Sequence, residues 1–186
     1  MTALGPRTND LPIPVIETER LILRGPEPQD FEPLCAFNSD ADRMRYLGGP
    51  VTDADTVWRG FLTGIGHWMW RGYGMWTLQE KASGQTVGRV GVINHLMWDE
   101  PEIGWHIFAD HEGRGYVTEA ALVARRYAAE SWGLDRLISY IDPANTRSRA
   151  VAERLGATVE RERPEFFGST VLVYRHPSVA GGSDGR

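Results

Sequence analysis

Residues 102–122 read Glu102-Ile-Gly-Trp-His-Ile-Phe108, Ala109-Asp-His-Glu-Gly-Arg-Gly115 and Tyr116-Val-Thr-Glu-Ala-Ala-Leu122, and this stretch decides the fold. Ile103, Trp105, Ile107 and Phe108 are β-branched or aromatic residues in a short run, which predicts a strand. Val117, Ala120, Ala121, Ala124 and Ala128 recur at helical spacing, which predicts a helix. Between the two, Gly113 and Gly115 stand where the backbone must turn sharply or let a ligand approach closely. A glycine loop feeding a helix N-terminus presents unpaired N–H groups and the positive end of the helix dipole, a combination suited to phosphate.

Two familiar nucleotide loops do not fit. A P-loop needs Gly-Lys-Ser/Thr after its first glycine and four residues, and no lysine follows these glycines. The dinucleotide fingerprint Gly-x-Gly-x-x-Gly would need a third glycine where this chain has Thr118. The loop therefore suits a pyrophosphate on a different carrier.

At 186 residues the chain is long enough for one domain with a full core and short for two. A net charge of −5 argues against a general nucleic-acid surface, so a polyanionic ligand must be held by local arginines and backbone amides. A single cysteine, Cys35, excludes a disulfide framework, and its apolar surroundings (Phe31, Leu34) mark it as a small core residue. The histidines at 67, 95, 106 and 111 lack the spacing with an acidic partner that a zinc site uses, so no metal is expected. No apolar run reaches the ~20 residues of a membrane span, and no signal-peptide core opens the chain. A cytoplasmic location is the expectation.

Residues 1–14 read as a flexible arm, 15–176 as the domain and 177–186 as a disordered tail. Within the domain Arg20–Arg24 forms a first strand, followed by a helix carrying Phe31, Leu34 and Phe37 inward and a short one through Met44, Arg45 and Leu47. Thr52 with Asp55 resembles a capping box for a third helix carrying Val57, Trp58, Phe61, Leu62 and Ile65. A hairpin (75–78 and 87–93) follows, in which Gly88 and Gly91 suggest a bulge or close backbone approach. After the central unit, whose helix is capped by Gly133, come a strand (136–141), a helix from Asn145 to a Gly156 cap, and a last hairpin (157–163 and 169–175). The order β, α, α, α, β, β, β, α, β, α, β, β predicts an α/β (α+β) domain with a mixed, mostly antiparallel sheet flanked by helices.

With these elements placed, the chain resembles the GNAT acyltransferase superfamily, and within it the RimJ/RimL-like N-acetyltransferase branch. Four segments carry the resemblance: Thr18-Glu-Arg20-Leu-Ile-Leu-Arg24; the glycine pattern at 84, 88 and 91; Glu102-Ile-Gly-Trp with Gly113-Arg-Gly-Tyr-Val-Thr-Glu-Ala; and Asn145-Thr-Arg-Ser148 leading to Leu155-Gly156. They span residues 15–176 in order. The resemblance implies acetyl-CoA as co-substrate, a primary amine as acceptor and a GNAT-like fold. It further implies that the backbone from Gly113 through Arg114, Gly115 and Tyr116 to Val117 binds the pyrophosphate. Ile107 and Phe108 would pair with the pantetheine amides, and Asn145 and Ser148 would face pantetheine and thioester. The superfamily loop usually opens with Gln or Arg where this chain has Asp110. Asp110 and Glu112 suit a pyrophosphate only if they point outward or are offset by Arg114, Arg147 or Arg149.

Acetyl transfer needs a neutral amine, a polarised thioester carbonyl and a stabilised thiolate. An α-amine of pKa about 8 is roughly one-tenth neutral at pH 7, and a lysine less than ~0.1%. Glu102 is the first candidate base and His106, two residues along on the same face, the second. A backbone N–H of the same strand, such as that of Phe108, is the candidate oxyanion donor. Many family members place a tyrosine where this chain has Ala152, leaving Ser148 as the candidate donor to the thiolate, with Tyr174 and Tyr140 as alternatives. Read blandly, Glu102 is an exposed strand-edge carboxylate and Ser148 caps its own helix. Glu119 reads as structural, near a helix start that favours a carboxylate, and Trp98 as a candidate wall of the acceptor pocket. The acceptor is a protein N-terminal α-amine or a small-molecule amine. The rivals are an acyl-CoA-binding module without turnover and a structural domain without ligand. Hydrophobic strands such as Val171-Leu-Val173, read as an edge, leave a homodimer open.

Overall fold

A computed structural model of the chain describes residues 12–166 and 168–179. Eight strands form one sheet: β1 (Ile16–Glu17), β2 (Leu21–Arg24), β3 (Met75–Glu80), β4 (Thr86–Ile93), β5 (Glu102–Ile107), β6 (Ile138–Ile141), β7 (Thr158–Phe166) and β8 (Ser169–Arg175), in the spatial order β1-β2-β3-β4-β5-β6-β8-β7. All pairs are antiparallel except β5–β6, so the expected mixed, mostly antiparallel sheet is what forms. The helices are α1 (Phe31–Ser39), α2 (Ala41–Met44), α3 (Ala54–Arg71), α4 (Tyr116–Trp132) and α5 (Thr146–Arg154).

One face of the sheet carries α4. Ala120, Ala121, Ala124 and Ala128 are fully buried against Leu23, Leu78, Val90, Val92 and Ile103. Methyl-sized side chains let the helix axis approach the sheet, which fixes the helix N-terminus beside the end of β5. The other face carries α1 and α3, where Leu34, Phe37, Val57, Phe61 and Phe108 make a second core. Gly88 and Gly91 are required by close backbone approach: a Cβ would lie 2.3 Å from the His106 carbonyl oxygen and 2.2 Å from that of Gly74.

Several expectations need correction. The third helix is capped by Asp53, not Thr52, because the Asp53 carboxylate accepts from the Thr56 N–H at 2.9 Å and its hydroxyl at 2.5 Å. The second helix ends at Met44, before Arg45 and Leu47. Val171-Leu-Val173 lies in β8, between β6 and β7, so it is no edge and the argument for a homodimer through it falls. Of the expected arm and tail, residues 1–11 and 180–186 lie outside the described residues. Ile13 is buried, and Pro14 accepts from the Trp76 indole at 2.8 Å. At the other end Pro177 accepts from Arg125 at 2.5 Å and the Val179 N–H donates to Asp135 at 2.8 Å, so the start of the expected tail is anchored.

Candidate active site

β5 and β6 are joined by a single bridge, Glu102 with Ile138, and then diverge. The split opens into a groove of about 1020 Å³ lined by Trp105, His106 and Ile107, by the loop from His111 through Gly113 and Gly115, by the start of α4, and by Asn145 and Ser148 of the opposite wall. The segments singled out in the sequence thus meet at one groove.

Strand register decides which backbone groups face the split. The Phe108 N–H donates to the Val87 carbonyl at 2.9 Å, which makes Ile107–Gly88 a non-hydrogen-bonded antiparallel pair. Alternation then directs the backbone groups of Ile103, Trp105 and Ile107 toward β6. The Ser139 hydroxyl donates to the Ile103 carbonyl at 2.7 Å, as that parity requires. Ile107 therefore offers its amide edge to the groove. Phe108 does not: its N–H is taken, its carbonyl accepts from the His111 N–H at 3.3 Å, and its ring is buried under α1. Phe108 therefore has no free N–H for the pantetheine and oxyanion roles expected of it, and the backbone groups that face the groove are those of Trp105 and Ile107.

At the groove's far end Gly113 (φ 72°) and Gly115 (φ 79°) are both left-handed, and Gly115 is the N-cap of α4. No backbone acceptor among the described residues takes the N–H groups from Gly113 to Thr118; Glu119 makes the first helical bond, to Gly115. Arg114 is anchored outside this cradle, its carbonyl accepting from Arg20 at 2.8 Å and its guanidinium 3.6 Å from Glu80. The Tyr116 hydroxyl donates to Glu80, and Val117 is buried. Asp110, left-handed at φ 65° as Asp tolerates, is exposed and off the groove wall. Glu112 faces the groove but is paired with Arg43 of α2 and, at 3.3 Å, with Arg147 of α5. Arg149 takes no part, bonding instead the Tyr174 hydroxyl at 3.0 Å and the Pro143 carbonyl.

On the opposite wall Asn145 caps α5, its side-chain oxygen accepting from the Ser148 N–H at 3.1 Å. The Ser148 hydroxyl has no partner among the described residues and stands in the groove, against the bland reading of a self-capping serine. Tyr174 is fully buried and donates to Glu153 at 3.1 Å, while the Tyr140 hydroxyl accepts from Arg163 at 2.8 Å and from the Asp99 N–H. Neither alternative tyrosine stands free. Glu119 ties α4 to the first strands, accepting from Thr18 at 2.6 Å and from the Arg20 N–H at 3.0 Å.

Glu102 is buried, not exposed. Burial pushes its carboxyl up to about 7, against hydrogen bonds from the Trp98 indole at 2.5 Å and the Tyr140 N–H at 2.9 Å. Trp98 thus covers Glu102 and lines neither the groove nor the cavity under α3. Glu102, Gly104 and His106 share a face, since the pairing with β4 runs without a bulge. A Cβ at Gly104 would meet nothing within 4 Å, so the strand between the two candidate bases is open.

His106 is no base. Arg89, opposite it on β4, lies 2.9 Å from its Nδ1, and a guanidinium only donates. Nδ1 is therefore the acceptor and Nε2 carries the proton. Desolvation and the Arg89 charge push the imidazole down to about 3, so it stays neutral. Its ring stacks on Phe37 at 4.9 Å and lines both the groove and a separate cavity under α3. The sequence reading missed Arg89; an arginine inside the apolar run Val87–Ile93 was the available signal.

The family model described as "Acetyltransferase (GNAT) domain" matches residues 20–158. The chain belongs to the GNAT acetyltransferase family. A crystal structure of an acetyltransferase from Agrobacterium tumefaciens str. C58 is 35% identical, with a TM-score of 0.80 over 92% of this chain and 99% of that one. An N-acetyltransferase named p20 from Bacillus licheniformis, itself uncharacterised, is 29% identical over 84% of this chain and 91% of its own length. The ribosomal L7/L12 α-N-protein acetyltransferase RimL, at 18% identity, shares the fold with a TM-score of 0.73 over 94% of this chain and 99% of its own. This GNAT chain is thus an N-acetyltransferase, in a family that takes acetyl-CoA as co-substrate, and it shares its fold with RimL. Among the described residues no group of His, Cys, Asp and Glu is arranged to hold a metal, and no helix is long and apolar enough to cross a membrane.

Proposed function

We propose that this enzyme moves the acetyl group of acetyl-CoA to a primary amine by direct transfer in a ternary complex. One observation carries the reading: His106 borders both the groove and the second cavity, so two ligand spaces meet at one point of β5. Pantetheine lies along Trp105 and Ile107, and the pyrophosphate rests on the N–H groups from Gly113 to Val117.

The amine nitrogen attacks the thioester carbon, the C–S bond breaks, and the amine's surplus proton must leave. Glu102, at about 7, is matched to that task near neutral pH. Successive same-face residues on a strand stand roughly 7 Å apart, so Glu102 lies two such steps from His106 and a short chain of waters over the open Gly104 position relays the proton from the amine to Glu102. The N–H of Trp105 or Ile107 meets the oxyanion, and the Ser148 hydroxyl donates to the departing thiolate.

The test is CoA thiol release from acetyl-CoA with and without peptides, amino acids and aminoglycosides. Amine-dependent release is expected, and Ser148→Ala is expected to lower kcat about tenfold with KM for acetyl-CoA nearly unchanged. Tight acetyl-CoA binding with no release on any amine would instead favour the acyl-CoA-binding module.

A further inference from the structure

The cavity beside His106, about 350 Å³, lies on the α1/α3 side of the sheet. Leu34, Phe61, Met75, Ile93 and Phe108 give it apolar walls. Its polar groups can be taken in turn. Asp30 reaches the wall but is neutralised: Arg24 donates to both carboxylate oxygens at 2.7 and 2.9 Å, the Thr86 hydroxyl at 2.6 Å and the Glu27 N–H at 2.7 Å. His67 spends both ring nitrogens, Nδ1 on the Tyr73 carbonyl at 2.7 Å and Nε2 on the Asn94 N–H at 3.1 Å. His95 is held below its ordinary value by desolvation and by neighbouring His67, which keeps it neutral.

Arg89 is different. Its Nη2 donates to His106, its Nε is sealed from solvent without an acceptor, and no carboxylate among the described residues lies within ion-pair distance. Arg24 and Arg175, also well covered, hold Asp30 and the pair Glu100 and Glu160, and buried Arg125 is met by two carbonyls. A guanidinium with most of its N–H groups unspent, in an apolar cavity, is half of an ion pair.

We infer that the acceptor carries the other half: a carboxylate that Arg89 receives in the cavity, making the substrate class a free amino acid with an apolar side chain. This rests on the acetyl-transfer reading and narrows it. An α-amino acid holds its amine two bonds from the carboxylate carbon, so an acid seated on Arg89 presents its nitrogen beside His106, where the cavity meets the groove. The walls cover the side chain. A polyamine or aminoglycoside would meet an uncompensated cation, and a mid-chain lysine would leave Arg89 unpaired.

The experiment compares leucine, methionine, phenylalanine and tryptophan with their amides and with the amines lacking the carboxyl group, using kcat/KM in the wild type, Arg89→Lys and Arg89→Gln. In parallel, N-acetyl-phenylalanine and its amide are titrated calorimetrically into the CoA-loaded protein. The wild type is expected to prefer the carboxylate at least about tenfold in both assays, as charge-assisted hydrogen bonds warrant. Arg89→Gln should bring the ratio close to one while CoA affinity holds, and Arg89→Lys should keep part of it. A wild-type ratio near one, or an undiminished ratio in Arg89→Gln, overturns the assignment. The two readings fail separately. Amine acetylation without carboxylate preference sinks this inference alone, whereas carboxylate-selective binding without any transfer supports the anion site and sinks the transfer reading.

Discussion

Gly113→Asp is expected to raise the dissociation constant for CoA about 100-fold, a loss of roughly 2.7 kcal/mol. Three features of the loop combine to give it. Gly113 is left-handed at φ 72°, and a Cβ there would meet no atom within 4 Å, so the carboxylate enters free space at the groove and the strain falls on the backbone conformation alone. Around it the N–H groups from Gly113 to Thr118 lack backbone acceptors among the described residues and sit at the positive end of α4. An aspartate would satisfy some of those donors itself and repel a pyrophosphate from the rest. Glu112, one residue earlier, escapes this conflict because Arg43 and Arg147 hold its charge. The fold should survive, since Asp is among the residues that visit this region, at a cost of about 1 kcal/mol. Calorimetric titration of CoA measures the first quantity and thermal melting the second. Gly113→Ala, carrying the backbone penalty without the charge, should stay within a few-fold of wild type. Undiminished affinity in the aspartate variant would place the pyrophosphate elsewhere.

That prediction could be written from sequence alone, and the reason is local. Strand, loop and helix in 102–122 are specified by neighbours in the chain: apolar residues at the two periodicities, with glycines where the backbone turns left-handed. Asn145 as a helix start was legible likewise, since the cap and the Ser148 N–H it receives lie three residues apart, whereas a site role for either residue came from the family resemblance. What escaped depends on contacts between distant segments. Phe108 looked free because strand parity toward β4 is set by one bond, to Val87. Val171-Leu-Val173 looked like an edge because the last strand in the chain is not the last in the sheet. His106 read as a base until Arg89, 17 residues earlier, was seen to hold its Nδ1. A burial-raised carboxyl at Glu102 was equally invisible, for Trp98 and Tyr140 enclose it from two other segments.

Glu102→Gln is expected to lower kcat/KM at pH 7.5 about 100-fold, within the range of general-base effects, while leaving CoA affinity intact. The pH profile carries the stronger evidence. Wild-type kcat/KM should rise with pH through about 7, because below that the buried carboxyl is protonated and takes no proton from the amine. The glutamine variant should lose this limb and keep only the rise due to ionisation of the acceptor amine, near 8 for an α-amine. Stability gives an independent readout of the same proton. A carboxyl raised from 4.5 to about 7 makes the folded chain bind a proton that the unfolded chain has released. The stability this group contributes is complete below about 4.5 and is lost as pH climbs through 7, by up to about 3 kcal/mol. Urea midpoints should therefore fall between pH 5 and pH 8 in the wild type, and fall less in Glu102→Gln. An amide still accepts from the Tyr140 N–H, although its NH₂ faces the Trp98 indole N–H and forfeits that bond. If the stability slope flattens while the rate profile keeps its limb near 7, the carboxyl is a buried structural acid and the proton leaves the amine by another route. If both change together, one buried proton governs the chemistry and the fold.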